Sequence, residues 1–164
     1  MDLILLSGGH DSGNLIRISN LDGRDCCALF VDYGQPAAAR ELIASVQITD
    51  HYKVRLIQRT MFTPASDGCE WLGRNMALIG LAMPVALEQG CKRILIGCTQ
   101  EDHDRFPDCR PEFISMMDKA AQQGYGVEVV APLTMRPSYI VKGTWSCYGA
   151  GPKPCGKCLS CQQG

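Results

Sequence analysis

Four cysteines near the C-terminal end of the chain have the spacing of a metal site. Cys147, Cys155, Cys158 and Cys161 follow the pattern C-x7-C-x2-C-x2-C. Two-residue gaps let successive thiolates converge on one ion, and Gly156 permits the tight turn between two of them. Four thiolates without a histidine suit a closed tetrahedral zinc site, which contributes to folding and leaves no open position for catalysis. An iron–sulfur cluster and disulfides are the alternatives, and a cytosolic setting argues against disulfides.

A stretch rich in glycine and serine follows the first apolar segment and is typical of phosphate binding. It covers Ser7 to Gly13 and reads SGGHDSG. Its glycines allow the backbone to turn sharply and approach a ligand, and the N–H groups that open the following helix favour phosphate oxygens. Ser7 and Ser12 add hydroxyl donors, whereas Asp11 has a place there only as a helix cap or beside a magnesium ion. A simple strand-to-helix turn with a serine cap is the alternative, which the complete string disfavours.

The elements that must position these residues follow from an alternation of apolar and helical segments. Strands are predicted at Leu3–Leu6, Ala28–Val31, Lys53–Ile57, Arg93–Gly97 and Val127–Val130. Helices are predicted at Gly13–Leu21, Ala37–Asp50, Arg74–Gln89 and Pro111–Gln123, and Pro84 predicts a kink in the third. This order predicts an α/β fold with a doubly wound, mostly parallel five-stranded sheet over residues 1–142. Residues 143–164 are expected to form a small zinc lobe. Ligands bind beyond the carboxyl ends of such strands.

Further candidates lie at the ends of other predicted strands and helices. Arg74 and Asn75 begin the third helix, where a guanidinium could bind a carboxylate or phosphate through two parallel hydrogen bonds. A surface arginine beside a helix cap explains the same pair equally well. Asp102 and Asp108 lie in an acidic loop, which is ordinarily solvated. The segment Phe106–Arg110, however, closes this loop with a rigid, less polar stretch, as the wall of a pocket would need.

Length and composition predict a soluble single domain. The chain has 164 residues, 46% of them hydrophobic and 20% charged, with 16 Lys and Arg against 17 Asp and Glu. This balance argues against disorder and gives no electrostatic reason for a nucleic-acid or membrane partner. The longest uncharged run, Asn75–Leu87, is too short to span a bilayer, and the first residues lack the features of a signal peptide. We therefore expect a cytoplasmic protein.

The remaining cysteines are expected to be small buried hydrophobic residues rather than reactive groups. Cys109 has no obvious base partner, which argues against a nucleophile. The six are Cys26, Cys27, Cys69, Cys91, Cys98 and Cys109.

Taken in order, these motifs resemble the 7-cyano-7-deazaguanine synthase family of queuosine biosynthesis. The loop from Ser7 to Ser12 resembles the pyrophosphate loop of the N-type ATP pyrophosphatases, whose fold is adenine nucleotide alpha hydrolase-like. The match is narrowed by Asp32-Tyr33-Gly34-Gln35, Gly73-Arg74-Asn75, Phe106-Pro107-Asp108-Cys109-Arg110, Thr144-Trp145-Ser146-Cys147-Tyr148 and the run from Pro154 to Cys161. The last two of these are much more specific than the loop. The resemblance extends from Leu3 to Gln162.

The resemblance implies an ATP-dependent ligase. Such an enzyme converts 7-carboxy-7-deazaguanine and ammonia to 7-cyano-7-deazaguanine through an acyl adenylate and an amide, and serves deazaguanine modification of RNA or DNA. It implies ATP and Mg²⁺ as cofactors, a structural zinc at the four cysteines and a homodimer.

The resemblance also implies roles for individual residues. Cofactor binding is expected of Ser7, Gly8, Gly9, His10, Asp11, Ser12, Gly13, Asp32 and Tyr33, with His10 at the variable position of the loop. Substrate binding is expected of Arg74, Asn75, Asp102, Phe106, Asp108 and Arg110. Catalytic roles are expected of Asp11, Ser12, Arg74 and Asp108.

The chain departs from the family pattern at several places. Pro36 and Ala37 stand where the family has a basic pair, the loop before Trp71 is short, and Gly13 replaces a small hydroxyl residue. The family places a helix with a Lys and a Glu where residues 132–144 leave room for a turn or two, and Lys142 is the only lysine close by. The alternative is a trimmed homologue that binds ATP or a deazapurine, or a partner-dependent subunit. A thiolation or amidation enzyme of the same superfamily is a third reading.

Overall fold

The computed structural model of the chain describes residues 1–61, 71–136, 139 and 141–163. The strands are β1 (Asp2–Leu5), β2 (Cys26–Asp32), β3 (Arg55–Thr60), β4 (Arg93–Leu95) and β5 (Glu128–Val130). The helices are α1 (His10–Leu21), α2 (Ala38–Tyr52), α3 (Arg74–Gln89), α4 (Pro111–Tyr125) and α5 (Leu159–Gln163). The five strands form one sheet in the order β3-β2-β1-β4-β5, and every neighbouring pair is parallel.

The sheet carries helices on both faces, which confirms the predicted doubly wound α/β fold. Leu3 of β1 belongs to a core cluster that includes Ile79 of α3 and Ile114 of α4. Ile4, the next residue, belongs to a second cluster that includes Leu15 of α1. Because successive side chains of a strand point to opposite faces, a strand covered on both sides is almost continuously apolar. Within the described ranges, each helix is too short or too polar to cross a membrane.

Apart from the third helix, the predicted elements differ from the observed ones by one to three residues at one or both ends, and two of these differences have a clear structural reason or consequence. Lys53 was predicted to open the third strand, but it adopts φ 57° at the end of α2 and closes that helix, so the strand begins at Arg55. This left-handed conformation is a common helix terminator. The first helix begins at His10 and not at Gly13, so Asp11 and Ser12 lie in its first turn. The helix α3 runs through Pro84 as one element, and the predicted kink stays a prediction.

The scattered cysteines are mostly buried, as predicted. Cys27, Cys91, Cys98 and Cys109 are buried and Cys26 is half-buried, all as free thiols, and Cys69 lies outside the described residues. Burial raises the pKa of the Cys27 thiol to about 12, which keeps it protonated and unreactive at neutral pH.

A buried ion pair joins β1 to β4 at the edge of the sheet where both strands begin. Asp2 is completely buried, and Arg93 donates from Nε and a terminal nitrogen to its two carboxylate oxygens at 2.9 and 2.6 Å. Ser19 of α1 donates a further hydrogen bond to the same carboxylate. Burial acts to raise the pKa of Asp2, but the hydrogen bonds from Arg93 and Ser19 outweigh it and the pKa is lowered.

We expect Asp2→Asn to lower the free energy of unfolding by about 3 kcal/mol, because it leaves Arg93 without its buried counter-charge. The pKa of Asp2 is lowered in the folded state, so its contribution is present above the ordinary aspartate pKa of about 4 and is lost as pH falls through the lower folded pKa. Urea unfolding at pH 7 and at pH 3 measures both effects. Asp50→Asn, at an exposed position of α2, is the control. Equal losses in the two variants would contradict the assignment.

Candidate active site

A cavity opens at the carboxyl edge of the sheet, where β1, β2 and β4 end. Leu29, Val31, Leu78 and Ile96 supply apolar side chains to its wall. Ten of the residues predicted for the site also line it: Ser7, Gly9, His10, Asp11, Ser12, Tyr33, Arg74, Asn75, Asp102 and Phe106. The other predicted residues, Gly8, Gly13, Asp32, Asp108 and Arg110, lie outside the wall.

Gly8 makes room for the backbone of α2 and not for a ligand. Its φ is +77°, and a Cβ atom there would lie 2.4 Å from the carbonyl oxygen of Glu41 and 3.0 Å from Cβ of Ala44. Any side chain at this position would therefore collide with α2, and the φ value would be strained as well. Glycine at position 8 lets the loop and α2 meet at the cavity.

A hydroxyl network holds the loop between β1 and α1 in a closed turn. Ser12 Oγ donates to the carbonyl of Gly9 at 3.1 Å and accepts from the backbone N–H of Ser7 at 3.2 Å. The two serine hydroxyls are 3.1 Å apart. The loop is thus shaped before a ligand arrives, which lowers the conformational cost of binding.

Gly13 packs against the segment that follows residue 132. A Cβ atom on Gly13 would lie 3.2 Å from Cγ1 of Val141, so this segment packs directly on α1. Asn14, which sequence reasoning missed, accepts from Tyr139 N at 2.8 Å and donates to Tyr139 O at 2.7 Å. Lys142 has an exposed side chain and does not line the cavity. The segment is therefore fastened to α1 through backbone groups and a buried amide.

The turn after β2 places a carboxylate in the cavity that the motifs did not indicate. Asp32 accepts from Gly34 N at 2.9 Å and so shapes the turn. Gln35 donates to Glu41 Oε2 at 2.8 Å, and Glu41 lines the cavity from the first turn of α2. Burial raises the pKa of the Glu41 carboxyl, while the hydrogen bond from Gln35 and the positive charge of Arg74 partly offset that rise.

The acidic loop after β4 is tied to the start of α3. Asp108 Oδ2 accepts from Asn75 N at 3.0 Å, in the manner of a helix cap supplied from another element. The Asn75 side chain donates in turn to Cys109 Sγ at 3.2 Å and to the carbonyl of Asp108 at 3.3 Å. Asp102 accepts from the N–H and the hydroxyl of Thr99, both at 2.8 Å.

These contacts divide the predicted substrate-binding residues into some that line the cavity and others that do not. Asn75 and Asp102 line the cavity while bonding within the protein. Asp108 lies behind the wall as a cap, and the exposed Arg110 donates to the carbonyl of His103 at 2.9 Å. Sequence reasoning could not distinguish the two groups, because the difference depends on the contact between the loop and α3.

The four C-terminal cysteines converge as a metal site requires. The sulfurs of Cys147, Cys155, Cys158 and Cys161 all lie within 4.8 Å of one another, and those of Cys155 and Cys161 are 4.0 Å apart. Zinc–sulfur bonds of about 2.3 Å in a tetrahedron place sulfurs about 3.8 Å apart, so the donor set fits zinc. Backbone N–H groups of Lys157 and Cys158 lower the pKa of Cys155 to about 6, which favours the thiolate that a metal needs.

The segment that carries the four cysteines, residues 143–163 (the cysteine segment), also forms part of the cavity. The sequence did not indicate this contribution. Trp145 N donates to the carbonyl of Gly8 at 2.8 Å, and Ser146 Oγ accepts from His10 N at 3.3 Å. Four residues of this segment line the cavity: Trp145, Ser146, Tyr148 and Ser160. Residues that follow the sheet in sequence therefore close the site over the glycine–serine loop.

A comparison with known protein families shows to which family this chain belongs. The family described as queuosine biosynthesis protein QueC matches residues 1–65 and 71–164. The chain belongs to the QueC family. The resemblance that the sequence motifs indicated is thus confirmed over almost the whole chain.

Curated relatives of this QueC family member are similar over nearly their full lengths. The 7-cyano-7-deazaguanine synthase of Synechococcus sp. (strain CC9902) is 28% identical over 200 residues, covering 98% of this chain and 88% of the relative. That of Synechococcus elongatus is 30% identical over 200 residues, with 98% and 87% covered. The 7-cyano-7-deazaguanine synthase 1 of Colwellia psychrerythraea is 28% identical over 205 residues, with 98% and 90% covered. Because these alignments are longer than the 164-residue chain, the relatives have residues that this QueC family member lacks.

A solved structure shares the fold. The predicted subunit of tRNA methyltransferase from Methanocaldococcus jannaschii has a TM-score of 0.51 and 13% sequence identity, covering 84% of this chain and 70% of that chain. At this identity the likeness shows the α/β fold alone.

Proposed function

We propose that this QueC family member converts 7-carboxy-7-deazaguanine and ammonia to 7-cyano-7-deazaguanine at the expense of ATP. The observation that carries the proposal is a single cavity lined by the glycine–serine loop, by Arg74 and by Trp145, Ser146 and Tyr148. A phosphate-binding turn thus faces the segments that are most specific to the family. A protein that binds an unrelated ligand has no need of this combination.

The first steps of the proposed reaction require a phosphate site that excludes water. The loop and the first turn of α1 would hold the phosphates of ATP, with the Ser7 and Ser12 hydroxyls as donors. A magnesium ion at Asp11 would offset phosphate charge during transfer. The substrate carboxylate attacks the α-phosphate to give an acyl adenylate and pyrophosphate, and ammonia then displaces AMP to give the amide.

The amide would then react at the same site. Its oxygen attacks the α-phosphate of a second ATP and releases pyrophosphate, and loss of AMP and protons from the adenylated amide leaves the nitrile. Arg74 is proposed to bind the substrate carboxylate through paired hydrogen bonds. The apolar side chains of Leu29, Val31 and Ile96 would exclude the water that competes with ammonia for the adenylate.

The deciding experiment incubates the protein with ATP, Mg²⁺, ammonia and 7-carboxy-7-deazaguanine and follows product mass and pyrophosphate. We expect the nitrile and release of pyrophosphate. A trimmed homologue that binds ATP without completing the reaction is the second candidate, and the residues that the relatives have in addition favour it. ATP binding without nitrile formation would select that candidate.

We also propose that the protein is a cytoplasmic homodimer with no direct nucleic-acid partner. A groove between α3 and α4 is lined without charged residues by Ile79, Gly80, Met83, Pro84, Leu87, Met117, Ala120, Ala121 and Tyr125. Leu87 and Tyr125 are 47% and 61% exposed there, which is typical of a surface that a second copy covers.

The proposed dimer predicts a mass in solution of twice 17.9 kDa by light scattering. Leu87→Asp is expected to yield monomers, because dimerisation would bury a charge in an apolar groove. Glu88→Gln, next to it on the exposed surface, should leave the mass unchanged. A wild-type monomer at micromolar concentration would contradict the prediction.

We further propose that residues 1–142 and 143–164 are distinct units, an α/β domain and a zinc lobe. The described part of the second unit contains no strand and one short helix, Leu159–Gln163.

A further inference from the structure

Glu41 is a fixed carboxylate in the cavity that none of the motifs includes. Its Oε2 accepts from Gln35 Nε2 at 2.8 Å. Gln35 is itself buried, and its amide is held at both ends: its oxygen accepts from Tyr33 N at 2.9 Å and its nitrogen also donates to Val31 O at 3.2 Å. The amide of Gln35 can therefore turn little, and it fixes the direction of the Glu41 carboxylate.

The surroundings of Glu41 suit a flat heterocycle. Leu29, Val31 and Leu78 line the same cavity, and the Tyr33 ring stands edge-on to the Trp71 ring with centroids 6.4 Å apart. Ligand sites commonly combine such apolar walls with a few fixed polar groups that choose the ligand. Burial raises the pKa of the Glu41 carboxyl, and the hydrogen bond from Gln35 and the positive charge of Arg74 oppose that rise. Because Gln35 Nε2 donates to Glu41 Oε2, the carboxylate oxygen acts as an acceptor.

We infer that Glu41 is a specificity-determining residue that binds the two adjacent N–H donors of the deazaguanine ring, its ring N–H and its exocyclic amino group. An ionised carboxylate presents only acceptors, and its remaining lone pairs match two neighbouring donors. The corresponding edge of an adenine-type ring has an acceptor next to its amino group and matches the carboxylate poorly. This inference rests on the proposed function, since it assigns a role within the same site.

The test measures binding and does not depend on turnover. Calorimetry in the presence of ATP and Mg²⁺ compares 7-deazaguanine and 7-deazaadenine as probes, with wild-type protein, Glu41→Gln and Glu112→Gln. Glu112 lies on the exposed surface of α4 and controls for the loss of one charge. We expect Glu41→Gln to bind 7-deazaguanine roughly 10- to 100-fold more weakly, the effect of a lost charge-assisted hydrogen bond. Its preference should shift toward 7-deazaadenine, because an amide offers both a donor and an acceptor.

The other outcomes separate this inference from the proposed function. Equal 7-deazaguanine affinity in wild type and Glu41→Gln overturns the role of Glu41 while the proposed function stands. Equal loss of ATP binding in Glu41→Gln assigns the residue to the nucleotide or its magnesium ion and also overturns it. A wild-type protein that binds neither 7-deazaguanine nor 7-carboxy-7-deazaguanine overturns both. If Glu41→Gln fails to fold, Glu41→Asp replaces it as the test variant, because the shorter side chain keeps the charge but moves it away from the ligand. An unchanged preference for 7-deazaguanine over 7-deazaadenine in Glu41→Asp overturns the inference.

Discussion

Replacing Ser12 with alanine is expected to lower ATP-dependent turnover by about 100-fold or more, the usual effect of removing one fixed donor from a transition-state site. Ser12 Oγ accepts from the N–H of Ser7 and donates to the carbonyl of Gly9, so its loss removes both contacts, although the Gly9 carbonyl still accepts from Gly13 N at 3.0 Å. Asp11→Ala is expected to have a similar effect on turnover, because a carboxylate beside the phosphates is lost. Pyrophosphate release and calorimetry with ATP measure the two effects separately.

The cost in stability should be small by comparison. Loss of the Ser12 hydrogen bonds is expected to cost about 1–2 kcal/mol, and loss of Asp11 from the first turn of α1 about 0.5 kcal/mol. Ser45→Ala is the matched control, because Ser45 is buried in α2 and its hydroxyl has no hydrogen-bond partner among the described residues. Turnover that yields only ADP and phosphate, or unchanged ATP binding in both variants, would contradict the assignment of the loop.

The fold could be predicted because its strands carry a strong local signal. A parallel strand covered on both faces is almost continuously apolar, so β1, in which Asp2 is the one polar residue, is recognisable from its composition. A wrongly predicted boundary can depend on the backbone conformation of a single residue. Lys53 ends α2 in the left-handed region, although lysine has no particular preference for it, and nothing in the neighbouring sequence marks this turn.

The site could be predicted only where one short segment supplies several groups. The loop from Ser7 to Ser12 is such a segment, and most of it lines the cavity. Glu41 was missed because its position depends on how α2 packs against Gly8 and Gln35, which no local pattern shows. Asp108 has a carboxylate that could bind a substrate, but this carboxylate accepts from the backbone N–H of Asn75 at the start of α3. Only this tertiary contact distinguishes a capping role from a substrate-binding role.

The folded chain offers a structural reason for one of the departures that the sequence indicated, the glycine at position 13. Gly13, which the sequence alone marks as a weak point in α1, packs against Val141, and a Cβ atom there would lie only 3.2 Å from Cγ1 of Val141, so a larger side chain would require Val141 to shift. Asn14 then satisfies both backbone groups of Tyr139. The contact with Val141 is therefore a structural reason for a small residue at position 13. A serine at position 13 would crowd this contact unless Val141 moved by a few tenths of an ångström.

Loss of zinc is expected to disable ligand binding as well as to unfold the cysteine segment. We expect about one zinc per chain by elemental analysis, and Cys158→Ser should lose most of it, because a structural zinc site needs all four ligands. Zinc binding free energy is largely folding free energy in such segments, so the residues after 143 should become accessible to protease. Cys26→Ser, outside the cluster, is the control for loss of a thiol.

The effect on the cavity follows from what the cysteine segment contacts. Trp145 and Ser146 bond to the backbone of Gly8 and His10, and Tyr148 and Ser160 line the cavity. Without zinc these walls are no longer held, and ATP affinity in calorimetry should fall roughly 10-fold, since the loop loses two hydrogen bonds that fix its shape. Iron in place of zinc, or a well-folded protein without metal, would contradict the zinc assignment. Full ATP affinity after zinc removal would instead mean that the loop keeps its shape through the Ser7–Ser12 network alone, and the cysteine segment would then be a lobe without a part in the site.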